Sequence, residues 1–187
     1  TLRDMGMKVY VYNTPSNFKE IKASILELAQ VVGELEKGKQ IVAEMDSRGQ
    51  KLQEKLGSIK EKRKVLFMHA FGAYYSPKGT FSDTCSLAGV EDVTRNLNYS
   101  QPCTLSQETI VQLNPDSFGI GDWNFDGKHS PEALKEEILS NQSYMTTNAG
   151  KNKSIILIPS AHLLTSSQYF VLGVEDMAKA AYPELFP

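Results

Sequence analysis

Cysteine is scarce: the 187 residues hold two, Cys85 and Cys103. Their spacing is not that of a zinc site, so they either pair in an oxidising compartment or stay free as small hydrophobes. An excess of one charge is also missing. Lys and Arg number 20 against 22 Asp and Glu, for a net charge of −2, which argues against general nucleic-acid binding. Apolar runs are only a few residues long and the mean hydropathy is −0.32, so no membrane-spanning helix fits. Thr1-Leu2-Arg3-Asp4 is no secretion signal and reads like a cut inside a longer protein. Two enzyme signatures are absent as well. There is no Gly-x-Ser-x-Gly elbow and no phosphate loop, and neither cysteine has an evident histidine partner in sequence.

What is present reads as an ordinary globular chain, 41% hydrophobic and long enough to bury a core. Lys8–Tyr12 is a short β-branched and aromatic run that predicts a strand. Asn13–Ser16 breaks it and offers helix caps. Phe18, Ile21, Ile25, Leu28, Ala29 and Val32 then recur every three or four residues, the pattern of an amphipathic helix that Gly33 would stop. A second helical pattern covers 34–56, roughly 34 Å at 1.5 Å per residue. It is thinly apolar and could bridge two bodies. Residues 46–64 carry seven Lys/Arg and three Asp/Glu, in the first place a solvated face. After Gly57 the pattern changes. Residues 64–68, 117–121 and 154–158 are continuous apolar runs of the kind buried on both faces of a parallel sheet. Helical segments at 81–88, 106–113, 131–139 and 167–181 alternate with them. The expectation is an α/β, three-layer lobe with a mostly parallel sheet over 58–187, preceded by a 1–57 segment that cannot close a sheet alone.

In such sheets ligands gather beyond the carboxyl ends of the strands. Three loops can be read there, 69–79, 122–127 and 159–166. They hold the only tryptophan, a tyrosine pair and two of the three histidines. The candidate ligand-binding residues are Tyr74, Tyr75, Trp123, Phe125, His69 and His162; the alternative is that these are surface loops with a few anchoring rings. A metal site needs three or four ligands, and His69 and His162 could be joined by a carboxylate such as Asp122. Two strand-end histidines are more often hydrogen-bonded structural groups.

Several stretches resemble, in order, the C-terminal part of the substrate-binding proteins of iron-siderophore and cobalamin ABC importers. Met5-Gly-Met-Lys-Val-Tyr-Val-Tyr resembles the last strand of that family's first lobe. Residues 25–39 resemble the helix, glycine and start of its long inter-lobe helix. Residues 104–116 resemble its Ser-x-Glu helix followed by Leu-x-Pro-Asp, and 149–159 its approach to the last strand. Residues 172–186 resemble its closing helix, which ends in Tyr-Pro-Glu-x-Phe. The loop Ser160-Ala-His-Leu-Leu-Thr departs from the family in having no tryptophan.

The resemblance implies a two-lobed extracytoplasmic binding protein, periplasmic or a cell-surface lipoprotein, and not an enzyme. Residues 1–57 would end the first lobe and supply the inter-lobe helix, and 58–187 would form the second lobe. An iron-siderophore, haem or cobalamin-like ligand would sit between the lobes and pass to a membrane permease; the chelate is cargo, and no resident cofactor is implied. Flat chelates suit aromatic faces with a few polar groups; Lys78 or Lys128 could meet an anionic one, although loop lysines are more often simply solvated. Glu108, on the first turn of the Ser-x-Glu helix, would dock on permease arginines. Alternatives are a binding protein for bare Zn or Mn and a chelatase-like α/β enzyme. Since 1–57 would supply only a remnant of the other wall, the chain by itself is expected to bind weakly.

Overall fold

The computed structural model describes residues 1–76, 79–122, 130–163 and 165–186. Helix α1 (Phe18–Val31) starts at Asn17, whose side chain accepts from the Glu20 amide. A second device fixes its origin: the Asp83 carboxylate accepts from the Phe18 amide at 2.6 Å. Gly33, at φ +79°, turns the chain into α2 (Leu35–Leu56), a helix of 22 residues. The two form a hairpin, with Gly38 so close to Ala29 that a Cβ there would stand 2.5 Å from the alanine methyl.

The expected strand over 8–12 does not form. Residues 7–16 have no regular structure, and Tyr10, Val11 and Tyr12 are exposed. The β-propensity of this run is real, but a strand exists only with a partner edge, and among the described residues none pairs with it.

The sheet is built from β1 (Lys64–His69), β2 (Gly72–Tyr75), β3 (Glu91–Asp92), β4 (Cys103–Thr104), β5 (Ser117–Gly121) and β6 (Ile155–Ile158). Its order is β4-β2-β1-β5-β6, with β3 beside the start of β1. The three apolar runs lie parallel and adjacent, Val65 opposite Ser117 and Phe118 opposite Ile155. Thus β1, β5 and β6 bring their carboxyl ends to one edge. Asp116, the aspartate of the Pro-Asp unit, ties this arrangement together. Its carboxylate accepts from the Lys64 amide at 2.9 Å and from the Asn148 side chain at 3.0 Å.

Helices cover both faces. Val65, Ile156 and Ile158 pack with α2, α3 (Thr80–Leu87) and α8 (Phe170–Ala181). Leu66, Met68, Phe118 and Ile120 pack with α4 (Gln107–Leu113), α5 (Pro131–Ser140) and α6 (Asn148–Lys151). Alternate residues of one strand thus feed opposite clusters, which makes the three layers. The first cluster runs through residue 57, since Met45, Leu52 and Leu56 of α2 share it with α8. At the outer strand the two-sided burial expected of 154–158 is incomplete: Leu157 is half exposed and Ser154 and Ile155 are only partly buried. The final helical segment is shorter than the expected 167–181, beginning at Phe170. Cys85 lies in α3, Cys103 in β4, and both are free thiols.

Candidate functional site

The first strand-end loop is a hairpin. His69 pairs with Gly72, leaving Ala70 and Phe71 as a two-residue turn. Gly72 closes it at φ +101°, a conformation that side-chain-bearing residues avoid. Tyr74 and Tyr75 therefore lie on strand β2, not in a loop, and strand geometry sends them to opposite faces. Tyr74 is 40% exposed and Tyr75 only 7%. Tyr75 packs into the second core cluster and meets Tyr99 edge-on. The two tyrosines therefore present their rings to opposite sides of the sheet.

The other face of the hairpin gathers rings. The His69 imidazole stacks on Phe71 at 4.9 Å and meets Phe67 edge-on at 4.8 Å. Tyr74 stands edge-on to both Phe71 and His69, and Phe81 of α3 adds a tilted contact with Phe67. Phe67 fits because its strand neighbours are small: a Cβ on Gly119 would lie 3.3 Å from its ring. Phe71 is 63% exposed, a large apolar cost for a turn residue that packing alone does not explain. Burial pushes the His69 pKa below its usual value, since desolvation disfavours the charged ring. The result is an uncharged patch of one imidazole and four other rings at the carboxyl end of the sheet. Phe67, Phe71 and Phe81 were not singled out from sequence. The available signal was a phenylalanine beside a glycine in a strand-end turn.

The third loop starts with the short helix α7 (Ser160–Leu163). Asp122, just beyond β5, accepts from the Ser160 amide at 2.7 Å. That hydrogen bond is the main reason its carboxyl lies below the usual range, and the nearby His162 adds to it. His162 itself contacts Asp176 of α8 through Nδ1 at 2.6 Å. Its ring joins α7 to α8, and it stands in a different constellation from His69. Among the described residues no three His, Cys, Asp or Glu side chains converge on a point where a metal ion could sit. Trp123, Phe125, Lys78 and Lys128 lie outside the described residues.

Glu108 is exposed on the first turn of α4. Ser106 caps that helix by accepting from the Thr109 amide at 3.2 Å. The Glu108 carboxyl is lowered first by its own backbone amide and then by the Ser106 hydroxyl. Among the described residues it has no ion-pair partner.

The fold has known relatives. A periplasmic binding protein from Veillonella parvula superposes with a TM-score of 0.83 at 18% identity, over 97% of this chain. The chain spans only 64% of that protein's length. The periplasmic haem-binding protein RhuT from Roseiflexus gives 0.82 at 17% identity, covering 98% of this chain and 70% of its own. IsdE of Staphylococcus aureus, solved with haem, gives 0.78 at 19%, covering 96% and 70%. At these identities the likeness establishes the fold. No curated protein matches the chain by sequence. The model of the periplasmic binding protein family matches residues 1–162, and the chain accordingly belongs to that family.

Proposed function

We propose that the chain is part of the extracytoplasmic substrate-binding component of an ABC importer. Its ligand is a metal chelate with a flat apolar face, in the class of haem, ferric siderophores and corrinoids. Residues 58–187 act as one lobe, and 1–57 as the end of the other lobe and the inter-lobe helix. The observation that carries this reading is the ring cluster of Phe67, His69, Phe71 and Tyr74, half open at the carboxyl edge of the sheet. Exposed rings around an uncharged imidazole offer stacking area and one nitrogen donor, which suits a planar chelate better than a hydrated ion. The haem named for two of the similar structures supports the same class. His162, tied to Asp176, serves as a positioning residue for the third loop. Glu108 is the permease-docking residue, supported by its exposure and by its lack of an ion pair among the described residues.

Absorbance titration of the purified protein with haemin, a ferric siderophore and cobalamin, against Zn(II) and Mn(II), tests the reading. One chelate should bind, weakly if a second wall is needed, and Phe71→Ala with Tyr74→Ala should lower its affinity about tenfold or more. Binding of bare metal alone, or chelate binding indifferent to both ring substitutions, would overturn it.

A further inference from the structure

A groove between α2 and α8 has no part in the ring cluster. At its midpoint Arg48 donates from Nε and Nη2 to the two carboxylate oxygens of Glu175, at 2.8 and 2.7 Å. On one side of that bridge a cavity of about 270 Å³ is walled by Ile41, Met45, Tyr169 and Leu172. On the other, a cavity of about 240 Å³ has Leu52 and Phe186 as its floor and Lys51, Lys55 and Lys179 around it. The Lys55 ammonium stands 5.0 Å from the Phe186 ring centroid. Neither Lys51 nor Lys179 forms an ion pair among the described residues.

The charge here runs against that of the whole molecule. The chain carries −2, yet four cations surround this second cavity and its one carboxylate, Glu175, is already held by Arg48. The acids facing Arg48 from its surroundings are Glu44 and Asp176, and Asp176 is engaged by His162. Three lysines around an apolar floor match an anion attached to hydrocarbon. A free inorganic anion would gain nothing from Leu52 and Phe186.

We propose that this groove seats the headgroup of an anionic phospholipid at a membrane surface. The phosphate lies among Lys51, Lys55 and Lys179, and the glycerol and first methylenes lie against Leu52 and Phe186. Lysine stems cover apolar surface while their heads stay at the water boundary. Each cation near an anionic bilayer adds to attachment, and salt weakens it. The basic run of α2 thereby gains a role beyond that of a solvated face. The proposal stands apart from the chelate reading, because none of these residues belongs to the ring cluster.

Co-sedimentation with phosphatidylcholine vesicles, with and without about 30% phosphatidylglycerol, tests it. The protein should bind only the anionic vesicles. The Lys51→Ala, Lys55→Ala, Lys179→Ala triple variant should lose about 100-fold in partition, roughly fivefold per lysine. The corresponding triple Arg variant should retain binding, and an unchanged melting temperature should show that the Ala variant is folded. Equal binding to both vesicles, indifference to the triple Ala change, or binding of inorganic phosphate or an acidic peptide without binding of vesicles would overturn the proposal.

Discussion

The imidazole of His69 lies flat against the ring of Phe71, centroids 4.9 Å apart and planes within 4°. The contact folds the second residue of the turn back onto the end of β1, so a strand-end polar group and an exposed apolar ring form one surface. Burial disfavours the charged form of the imidazole, and a neutral ring nitrogen can act as an acceptor or ligand.

That neutrality has a sign that can be checked. The His69 pKa is lowered from 6.5 by burial, so on acidification the unfolded chain takes up its proton first. Stability is therefore undiminished by this group above pH 6.5 and falls as pH drops toward the folded-state value. His69→Gln should flatten this part of the decline below about pH 6.5. Thermal unfolding of both proteins across that range measures it; identical slopes would show that the ring is not desolvated in solution.

The two thiols should differ in reactivity. Cys85 is fully buried, and burial, with the Asp92 carboxylate adding to it, pushes its pKa well up. Thiolate is the reactive form. A thiol reagent should therefore modify Cys103 in the native protein and reach Cys85 only on unfolding. Loss of the Cys103 signal in a Cys103→Ser variant confirms the assignment.

Gly173 is where α8 passes α7. A Cβ there would stand 2.7 Å from the His162 carbonyl oxygen and 3.0 Å from its carbon. Backbone atoms cannot yield as a side-chain tip can, so Gly173→Ala should cost about 1–3 kcal/mol in urea unfolding. The same substitution should pull His162 away from Asp176 and move the third strand-end loop.

Glu108→Arg tests docking. Glu108 is exposed at a helix start, where a carboxylate favours the helix dipole in any case. Reversal should leave folding and chelate affinity nearly unchanged while uptake through the permease falls, most strongly at low ionic strength, as for a rim charge acting on encounter. Unchanged uptake would reduce Glu108 to a helix-end charge.

Much of the architecture is local and was legible in the sequence. The runs at 64–68, 117–121 and 154–158 carry their burial in composition, and the helices carry theirs in a three-to-four-residue period. Ser106 and Ser130 cap their helices through bonds to amides three residues on, so these ends could be read directly from the chain, whereas the first helix is capped by Asn17 and not from within 13–16. What remained hidden depends on partners distant in sequence. Lys8–Tyr12 has strand composition but, among the described residues, no edge to join. Tyr74 and Tyr75 read as a pair until the register of β2 against β1 places them on opposite faces. His162 reads only as a strand-end histidine, and it takes the packing of α8 to place Asp176 beside its ring. A single chain segment determines its own dihedral preferences and periodicity, whereas which face is buried, which charge is neutralised and which rings meet is decided by the neighbours that packing supplies.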